Sequence, residues 1–377
     1  MHEYMVDERR NLILMFLKRL ILLFRTNLFS FSKGEFYAIM SAMEKKTTIK
    51  LNLNSLAVIL YTSDLIPTKE GPLTNDEWYA IEKRIKDTGR DDVSSLIGMN
   101  REALMLLLDI DNMLIDKIVA RSTLLADMIH SLHNLENEGI HVTTKYEDNY
   151  PSELYCLNNR MPLILYYVGN MDLIKDNNVS VVGPHVNNRT LNFATKSVIN
   201  KVLEEERTLI TCGIKGIDEY ATRSILKMGG SVIMFVADHM LDKIRLNKRY
   251  LRDGHMLILC AVDPYAYFDV TNSLDRNIYV CGLSKEQFII ATNVNSGAVW
   301  FTSVQNLHYH WTTPLVVDAS PYYNGNLRLI EMGAIRVSKD DLASPLDIEH
   351  IIMKNRIVNE EDDTEIDQMT IFEFIEE

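Results

Sequence analysis

The sequence of 377 residues has few cysteines and no excess of positive charge. Its four cysteines (156, 212, 260 and 281) are far apart and form no C-x-x-C pair, which argues against a disulfide scaffold or a zinc ribbon. We therefore expect reduced thiols in a cytoplasmic protein. The formal net charge of -13 argues against a protein coated with basic surface that packs duplex DNA. A local group of cations stays compatible with this charge, because phosphate binding depends on where the cations lie.

Long uninterrupted apolar runs are also missing. The run at residues 11–24 is broken by Lys18 and Arg19 and is shorter than the roughly 20 apolar residues of a membrane span. It has no small-residue cleavage site after it, so no signal peptide is predicted. Two interpretations of residues 1–45 stay open: an extension that contains an amphipathic helix, or translation that begins at Met43. We predict no membrane partner.

Residues 46–138 show helical periodicity. Apolar residues recur at helical spacing in "SLAVILYTSDL", "NDEWYAIEKRIKD", "REALMLLLDI" and "LIDKIVARSTLLADMIHSLHNLENEG". Thr74 and Glu77 have the spacing of a capping box at the start of a helix. The region is predicted to be a small all-helical domain that serves for interaction or scaffolding, because it holds no cluster of catalytic residue types.

Residues 139–346 alternate between strand and helix patterns after a short strand, a turn at Pro151 and a β-rich run that follows Met161–Pro162. The later strands are predicted at 179–183, 208–212, 230–236, 255–262, 287–294 and 313–319, and the helices at 189–205, 218–228, 240–254, 271–283 and 298–308. This alternation predicts an α/β fold, a Rossmann-like and mostly parallel sheet with helices on both faces. Ligands of such sheets bind at the carboxyl ends of the strands.

Three glycine-bearing turns fall at those strand ends: "VVGPH" (181–185), "TCGIKGID" (211–218) and "NVNSGAVWFT" (293–302). Each can turn backbone N–H groups toward one anion-binding crevice. The sequence has no Walker A loop, and no G-x-G-x-x-G with an acidic residue about 20 positions later. The residues selected for phosphate contact are Gly183, His185, Gly213, Lys215, Gly216, Ser296 and Gly297. Lys215 could also be a structural lysine, and Cys212 is expected to be a small buried residue.

Further cations follow the second turn. The helix at 240–254 carries Lys243, Arg245, Lys248, Arg249 and Arg252. On composition this pattern is typical of the solvated face of a crossover helix. A second interpretation makes Arg245 and Lys248 the border of a groove that follows a phosphate backbone. Arg276 and Asn277, placed before a strand or helix edge, are either a surface cap or a contact to the same ligand.

The ordered stretches "YPSEL…MPLILYYVGN", "VSVVGPH", "LITCGIKGIDEYA…MGGSVIMFV", "DRNIYVCGLS", "NSGAVWFT" and "YYNGNLRLIEMGAI" resemble the DprA/Smf family of DNA-processing proteins. The resemblance covers roughly residues 145–336, and the helical region before it resembles the SAM-like domain of that family. It implies an extended Rossmann fold that binds and protects single-stranded DNA without catalysis. It also implies a homodimer that helps to load RecA recombinase in transformation or recombination.

Position by position, the family's arginine in the first turn is replaced by His185, which removes a permanent cation. The second turn keeps Lys215, Gly216 and Asp218, while Thr222 replaces a histidine. Arg276 and Asn277 are kept from an arginine–asparagine–arginine pattern, and Ser296, Gly297 and Thr302 are kept from the last turn. We predict that Asp218 caps the following helix rather than acting as a catalytic carboxylate. No catalytic residue, cofactor or metal is predicted.

Two alternatives to strand binding stay open. One is nucleotide processing, as in phosphoribohydrolases of the wider fold family, although their P-G-G-x-G-T motif is absent and "MGGSV" runs into a strand. The other is a scaffold that senses a mononucleotide.

Residues 347–377 form a short acidic tail, and the last 19 residues hold nine carboxylates and no basic residue. Within "QMTIFEF", the side chains Gln368, Met369, Ile371 and Phe372 resemble the peptide with which bacterial proteins bind the replication sliding clamp. A disordered tail that presents one amide side chain and several apolar side chains suits binding to the clamp. The alternative is a terminal strand or helix that folds back on the core. No C-terminal winged-helix domain is predicted.

Overall fold

The computed structural model of the chain describes residues 51–318 and 322–356. Two compact units are present, Met1–Tyr150 and Pro151–Glu377. The predicted extension at residues 1–45 and the predicted clamp-binding residues 368–372 lie outside the described residues. The predicted domain boundaries at 45, 138 and 346 stay predictions.

The described part of the first unit is mainly helical, as predicted. Its elements are α1 (Leu53–Thr62), α2 (Asn75–Asp87), α3 (Arg101–Leu108), α4 (Asn112–Ser122), α5 (Leu125–Asn137) and the short strand β1 (His141–Thr144). The predicted capping box is confirmed at the start of α2. The Thr74 hydroxyl accepts from the Glu77 N–H at 3.2 Å, and the Glu77 carboxylate accepts from the Thr74 N–H at 2.8 Å.

The core of this unit forms around α1, whose residues 55–61 are buried. Arg121 of α4 is buried beside it and donates to the Leu60 carbonyl at 2.6 Å and to the Ser63 carbonyl at 2.5 Å. A buried guanidinium needs such acceptors, since leaving it unpaired costs several kcal/mol or more. Arg121 therefore ties the end of α1 to α4, which supports a structural role for this part of the unit.

The second unit alternates strands and helices. Its strands are β2 (Ile164–Gly169), β3 (Val179–Val182), β4 (Leu209–Thr211), β5 (Val232–Val236), β6 (Met256–Cys260), β7 (Glu286–Ile289), β8 (Thr313–Val317) and β9 (Ile335–Val337). Its helices are α6 (Arg189–Glu204), α7 (Ile217–Lys227), α8 (Met240–Arg252), α9 (Val270–Gly282), α10 (Gly297–Tyr309), α11 (Asn324–Glu331) and α12 (Lys339–Ala343). Two 3-10 segments precede β3, Ser152–Arg160 and Met171–Leu173. Residues 348–356 are also helical.

Within this unit the strands lie in the order β2-β6-β5-β4-β3-β7-β8-β9. The pair β2–β6 is antiparallel and every other pair is parallel. The prediction of a mostly parallel, Rossmann-like sheet is confirmed. The chain runs from β3 outward to β6, then crosses back through α9 and places β7 on the other side of β3. The strand order therefore reverses between β3 and β7, which is where open sheets of this type bind ligands.

The strands of this region are buried and carry apolar side chains at their carboxyl ends. Val182, Ile289 and Val316 of three neighbouring strands pack with Trp300 of α10 and Leu329 of α11. This packing fixes the start of α10 against the carboxyl ends of β3 and β7. Among the described residues, no helix combines the length and the apolar character needed to cross a membrane.

The strand β7 ends at Ile289, earlier than the predicted strand end at residue 294. The Thr292 N–H bonds to the Asn326 side chain at 2.8 Å instead of to a neighbouring strand. Asn326 also donates to the Ile290 and Val317 carbonyls, each at 3.1 Å. This buried amide thus releases the chain from the sheet and directs it into the third glycine turn.

Candidate functional site

A cavity of about 630 Å³ opens at the point where the strand order reverses. All three glycine turns contribute to its wall, as the sequence predicted from their shared edge of the sheet. The predicted site residues that line it are Gly183, His185, Asp218, Arg276, Asn277, Ser296 and Gly297. Most of the other lining side chains are apolar, from the loop before α9 and from α9 and α10.

The remaining predicted residues lie outside the cavity wall. Gly213 and Gly216 are buried in the second turn, and Lys215 between them is exposed. In the described part of the chain no carboxylate forms an ion pair with Lys215. Arg245 and Lys248 are exposed on α8. The structure therefore groups the three turns with α9, and leaves the predicted α8 cations outside that group.

The first two turns touch through their glycines. Gly216 has φ +91°, and a Cβ there would lie 2.4 Å from the Pro184 carbonyl oxygen and from the His185 carbonyl carbon. The Ile217 N–H donates to the same Pro184 oxygen at 3.2 Å. A Cβ at Gly183 would lie 2.8 Å from the Ile217 side chain. Close backbone approach thus requires glycine at position 216, and contact with the Ile217 side chain favours it at position 183.

Asp218 does not cap α7, which corrects the prediction from sequence. It is the second residue of the helix, and the N-cap position is Gly216, without a side-chain bond. The buried Asp218 carboxylate instead accepts from the Cys212 N–H at 2.8 Å. Burial raises the pKa of Asp218 to about 6, while that hydrogen bond and the charge of Arg276 oppose the shift. The carboxylate therefore braces the turn through the Cys212 N–H, at the wall of the cavity.

Arg276 is neither at a helix edge nor a surface cap. It lies within α9 and is buried. Its Nε donates to the Asn277 Oδ1 at 3.0 Å, and its Nη1 donates to the Cys212 carbonyl at 3.4 Å. Much of its charge is thus used to hold the end of β4 and to balance Asp218. What remains for a ligand is the part of the guanidinium that reaches the cavity wall.

Cys212 is buried as predicted. Burial raises the pKa of its thiol to about 12, and the Sγ lies 3.3 Å from the Asn277 Oδ1. A thiol in this state is almost fully protonated at neutral pH and is a poor nucleophile. The described residues also hold no group of His, Cys, Asp and Glu arranged to bind a metal ion.

The cations of α8 differ in their contacts, and the groove along a phosphate backbone stays a prediction. Arg245 forms an exposed ion pair with Asp242 at 3.2 Å, as expected of a solvated helix face. Lys243 instead donates from its Nζ to the Gly213 carbonyl in the second turn. The cation that supports the turn is therefore Lys243, which the sequence pattern did not distinguish from its neighbours.

The unit that carries these turns matches a known family. A family model described as DNA recombination-mediator protein A matches residues 141–347, which is more than half of the chain. The chain belongs to this family. The resemblance to DprA/Smf proteins deduced from the motifs is confirmed.

This DprA-family chain is also similar to individual DNA processing proteins. The DNA processing protein DprA of Streptococcus pneumoniae is 30% identical over 161 residues, which span 41% of this chain and 55% of the relative's length. The structure of DprA from Streptococcus pneumoniae matches with a TM-score of 0.59 and 21% identity, and covers 80% of this chain and 100% of that chain. The structure of DNA processing protein A from Helicobacter pylori, studied for its single-stranded DNA binding mode, matches with a TM-score of 0.44 and 20% identity. This match covers 52% of this chain and 90% of that chain.

Aromatic side chains at the cavity mouth were not predicted from the sequence. Phe268 and Phe301 line the cavity and are 64% and 51% exposed, and Tyr267 beside them is 82% exposed. Exposed apolar groups around a cavity indicate a binding surface. The signal was present in the run "DPYAYFDV" (263–270) between β6 and α9, where three aromatics occur in a loop. In this DprA-family chain the mouth is thus aromatic more than basic.

The third turn supplies the last polar part of the wall. The helix α10 begins at Gly297 after Ser296, whose side chain makes no capping hydrogen bond. Both residues are exposed and line the cavity. First-turn N–H groups without a side-chain cap favour an anionic or acceptor group of a ligand. The wall therefore combines aromatic rings, backbone donors and one largely engaged cation.

Proposed function

We propose that this chain binds single-stranded DNA at the cavity and its rim, without catalysing a reaction on it. The observation that carries the proposal is the juxtaposition of the cavity, the exposed aromatics at its mouth and the exposed Lys215 on the adjoining turn. Proteins that bind single strands without sequence preference combine cations along the backbone with aromatic rings for the bases. Membership in a family of DNA recombination mediators supports the same ligand class.

The distribution of charged and aromatic side chains indicates where the bases and the phosphates of the strand would bind. Unstacked bases suit the cavity, because Phe268 and Phe301 offer ring surfaces and Arg276 and Asn277 offer polar groups inside. Phosphates suit the outer turn, where Lys215 is exposed to water and no described carboxylate competes for it. In this arrangement His185 lies at the rim, in the position where the family has an arginine.

The chemistry of two side chains in the wall supports the proposed lack of catalysis. Asp218 is buried and already accepts a hydrogen bond, and the Cys212 thiol is held in its protonated form. Neither is poised as a general base or a nucleophile. We further propose that the bound strand is protected and passed to RecA recombinase by a homodimer, as the family resemblance implies. Strand-exchange assays with RecA test this part.

The direct test is fluorescence anisotropy with a labelled oligonucleotide of about 30 nucleotides across a salt series. Lys215→Ala is expected to weaken binding severalfold and to reduce the slope of log K against log salt by about 0.7, the value for one lost phosphate contact to a single strand. Lys227→Ala is the matched control, since this exposed lysine lies at the other end of α7. No binding at low salt, or equal effects of both variants, would refute the proposal.

A second candidate function rests on the size of the cavity. A volume of about 630 Å³ lies in the range of small-molecule sites, and its mostly apolar lining with few polar groups is typical of them. A nucleoside monophosphate would fit this description. Calorimetry decides between the two functions: a mononucleotide that binds more tightly than an oligonucleotide favours the nucleotide sensor. Release of free base during the same incubation would indicate nucleotide processing.

A further inference from the structure

A second group of aromatic and cationic side chains lies at the end of α10, beyond the cavity. The Tyr309 and Trp311 rings are stacked, with centroids 5.0 Å apart and planes 11° apart. The Arg160 guanidinium lies over both, 4.7 Å from the Tyr309 centroid and 5.7 Å from that of Trp311. We call these three side chains the Arg160 platform. None of them belongs to the predicted site or to the cavity wall.

Arg160 is held in place by neutral partners. Its Nη2 donates to the Tyr309 hydroxyl at 3.2 Å, and its Nη1 lies 3.5 Å from the Gln305 Oε1. No carboxylate in the described part of the chain forms an ion pair with it. Exposed arginines elsewhere, such as Arg328 and Arg336, are each paired with an acid. Arg160 is therefore a pre-oriented guanidinium with donors still free for an anion.

One acidic group acts on Arg160 from a distance. Burial raises the pKa of Asp275 in α9, and the charge of Arg160 opposes that shift. The two side chains form no ion pair, so the N–H groups of Arg160 that do not bond to Tyr309 or Gln305 stay available. A bidentate phosphate contact is accordingly available to Arg160 and would be strengthened by its planar, fixed geometry.

The backbone that carries Arg160 is anchored to α9. Arg160 ends the 3-10 segment Ser152–Arg160. Leu157 of this segment packs against Gly282 so closely that a Cβ there would lie 2.8 Å from its side chain. The Cys156 thiol also contacts the Gly282 carbonyl at 3.8 Å. The platform is thus a fixed feature of the surface and not the tip of a free loop.

The platform continues the surface of the cavity mouth. Phe301, Gln305 and Tyr309 follow each other at intervals of four along α10, so they share one face of the helix. Phe301 lines the cavity and Tyr309 belongs to the platform, and the helical rise separates them by about 12 Å. Both rings are about half exposed, at 51% and 47%. A chain that fills the cavity and leaves it across Phe301 would next reach the platform.

We propose that the Arg160 platform is a second contact for single-stranded nucleic acid, in which Arg160 binds a phosphate and an unpaired base stacks on Tyr309. The inference rests on the proposed function and extends it, since the strand would run from the cavity along α10. A cation held over aromatic rings, without an acidic partner, matches a ligand that alternates anionic and aromatic groups. An acidic peptide would use the cation but would leave the rings unmatched.

The test compares two ligand lengths on the whole protein. An oligonucleotide of about four nucleotides fills the cavity only, and one of about 16 also reaches the platform. Arg160→Ala is expected to leave the short ligand within twofold of the wild type. It is expected to weaken the long one severalfold and to reduce its slope of log K against log salt by about 0.7, the value for one lost phosphate contact to a single strand. Arg223→Ala, an exposed arginine paired with Glu219 on α7, is the matched control.

Further variants separate binding from folding. Arg160→Lys keeps the charge without the fork, and Tyr309→Phe keeps the ring without the hydroxyl, so both are expected to bind the long ligand between wild type and Arg160→Ala. An unchanged affinity of Arg160→Ala for the long ligand would overturn the inference, as would equal losses on both lengths. If the wild type binds neither length, the proposed function itself fails, and this result is distinct from the other two.

Discussion

Replacement of Gly216 by alanine tests the contact between the first two glycine turns. Gly216 has φ +91° and ψ -129°, a backbone conformation that residues with a Cβ rarely adopt. The new methyl group would lie 2.4 Å from the Pro184 carbonyl oxygen. Because this neighbour is backbone, it cannot rotate away, and one turn must move. The Ile217 N–H bond to the same oxygen would be stretched or lost.

The expected loss of stability is the sum of two effects. Backbone strain at such a conformation costs about 1–3 kcal/mol. Forcing an extra carbon into a packed contact costs about 1–3 kcal/mol more. Gly229→Ala is the matched control, because Gly229 also has a positive φ, +86°, but a Cβ at this position would have no neighbouring atom within 4 Å. The control should lose only about 1–2 kcal/mol, since it carries strain without a clash.

Urea denaturation followed by circular dichroism measures both variants, and anisotropy with the labelled oligonucleotide measures their binding. Gly216→Ala should unfold at lower urea and, where folded, bind the strand more weakly, because displacement of the second turn moves Lys215. Gly229→Ala should bind like the wild type. Equal destabilisation of the two variants with unchanged binding by Gly216→Ala would refute the close packing of the turns.

Two further predictions concern buried polar groups. Burial raises the pKa of Asp218 to about 6 from 3.8, so between these values the native state keeps a proton that the unfolded chain has released. A rise of pH through this window therefore lowers the free energy of unfolding, by about 3 kcal/mol in all. Urea titrations should show this slope reduced in Asp218→Asn, and an undiminished slope would contradict the assignment. Asn326→Ala should cost about 3 kcal/mol in the same assay, since three buried hydrogen bonds are lost; a loss under about 1 kcal/mol would contradict it.

The fold could be predicted because its signals are local. The central strands β4 and β5 are short apolar runs, each followed by a turn and a helical pattern, so α7, predicted at 218–228, is found at Ile217–Lys227. The grouping of Gly183, Ser296 and Gly297 around one cavity also followed, since carboxyl ends of parallel strands share an edge. No contact information was needed for either step.

The roles of individual side chains could not be predicted in the same way. Asp218 precedes a helical pattern and is a residue type that commonly caps helices. In the folded turn, however, its carboxylate accepts a hydrogen bond from the Cys212 N–H, a contact that the sequence does not show. Arg276 looks exposed in sequence, yet α9 turns it inward. Arg160 and Tyr309 are 149 positions apart and meet only in the folded unit. Such contacts depend on tertiary packing, which periodicity does not encode.

The balance of charge explains why Lys215 is the decisive residue for the proposed function. Inside the cavity the Arg276 guanidinium is largely engaged with Cys212, Asn277 and the charge of Asp218. The first turn, residues 181–185, carries His185 and no lysine or arginine, so it supplies no permanent cation at the rim. Attraction for phosphates must then come from outside the cavity, while the aromatic mouth supplies contacts to bases. Since base stacking depends little on salt and phosphate contacts depend on it strongly, removal of a single exposed lysine should be visible in the salt slope.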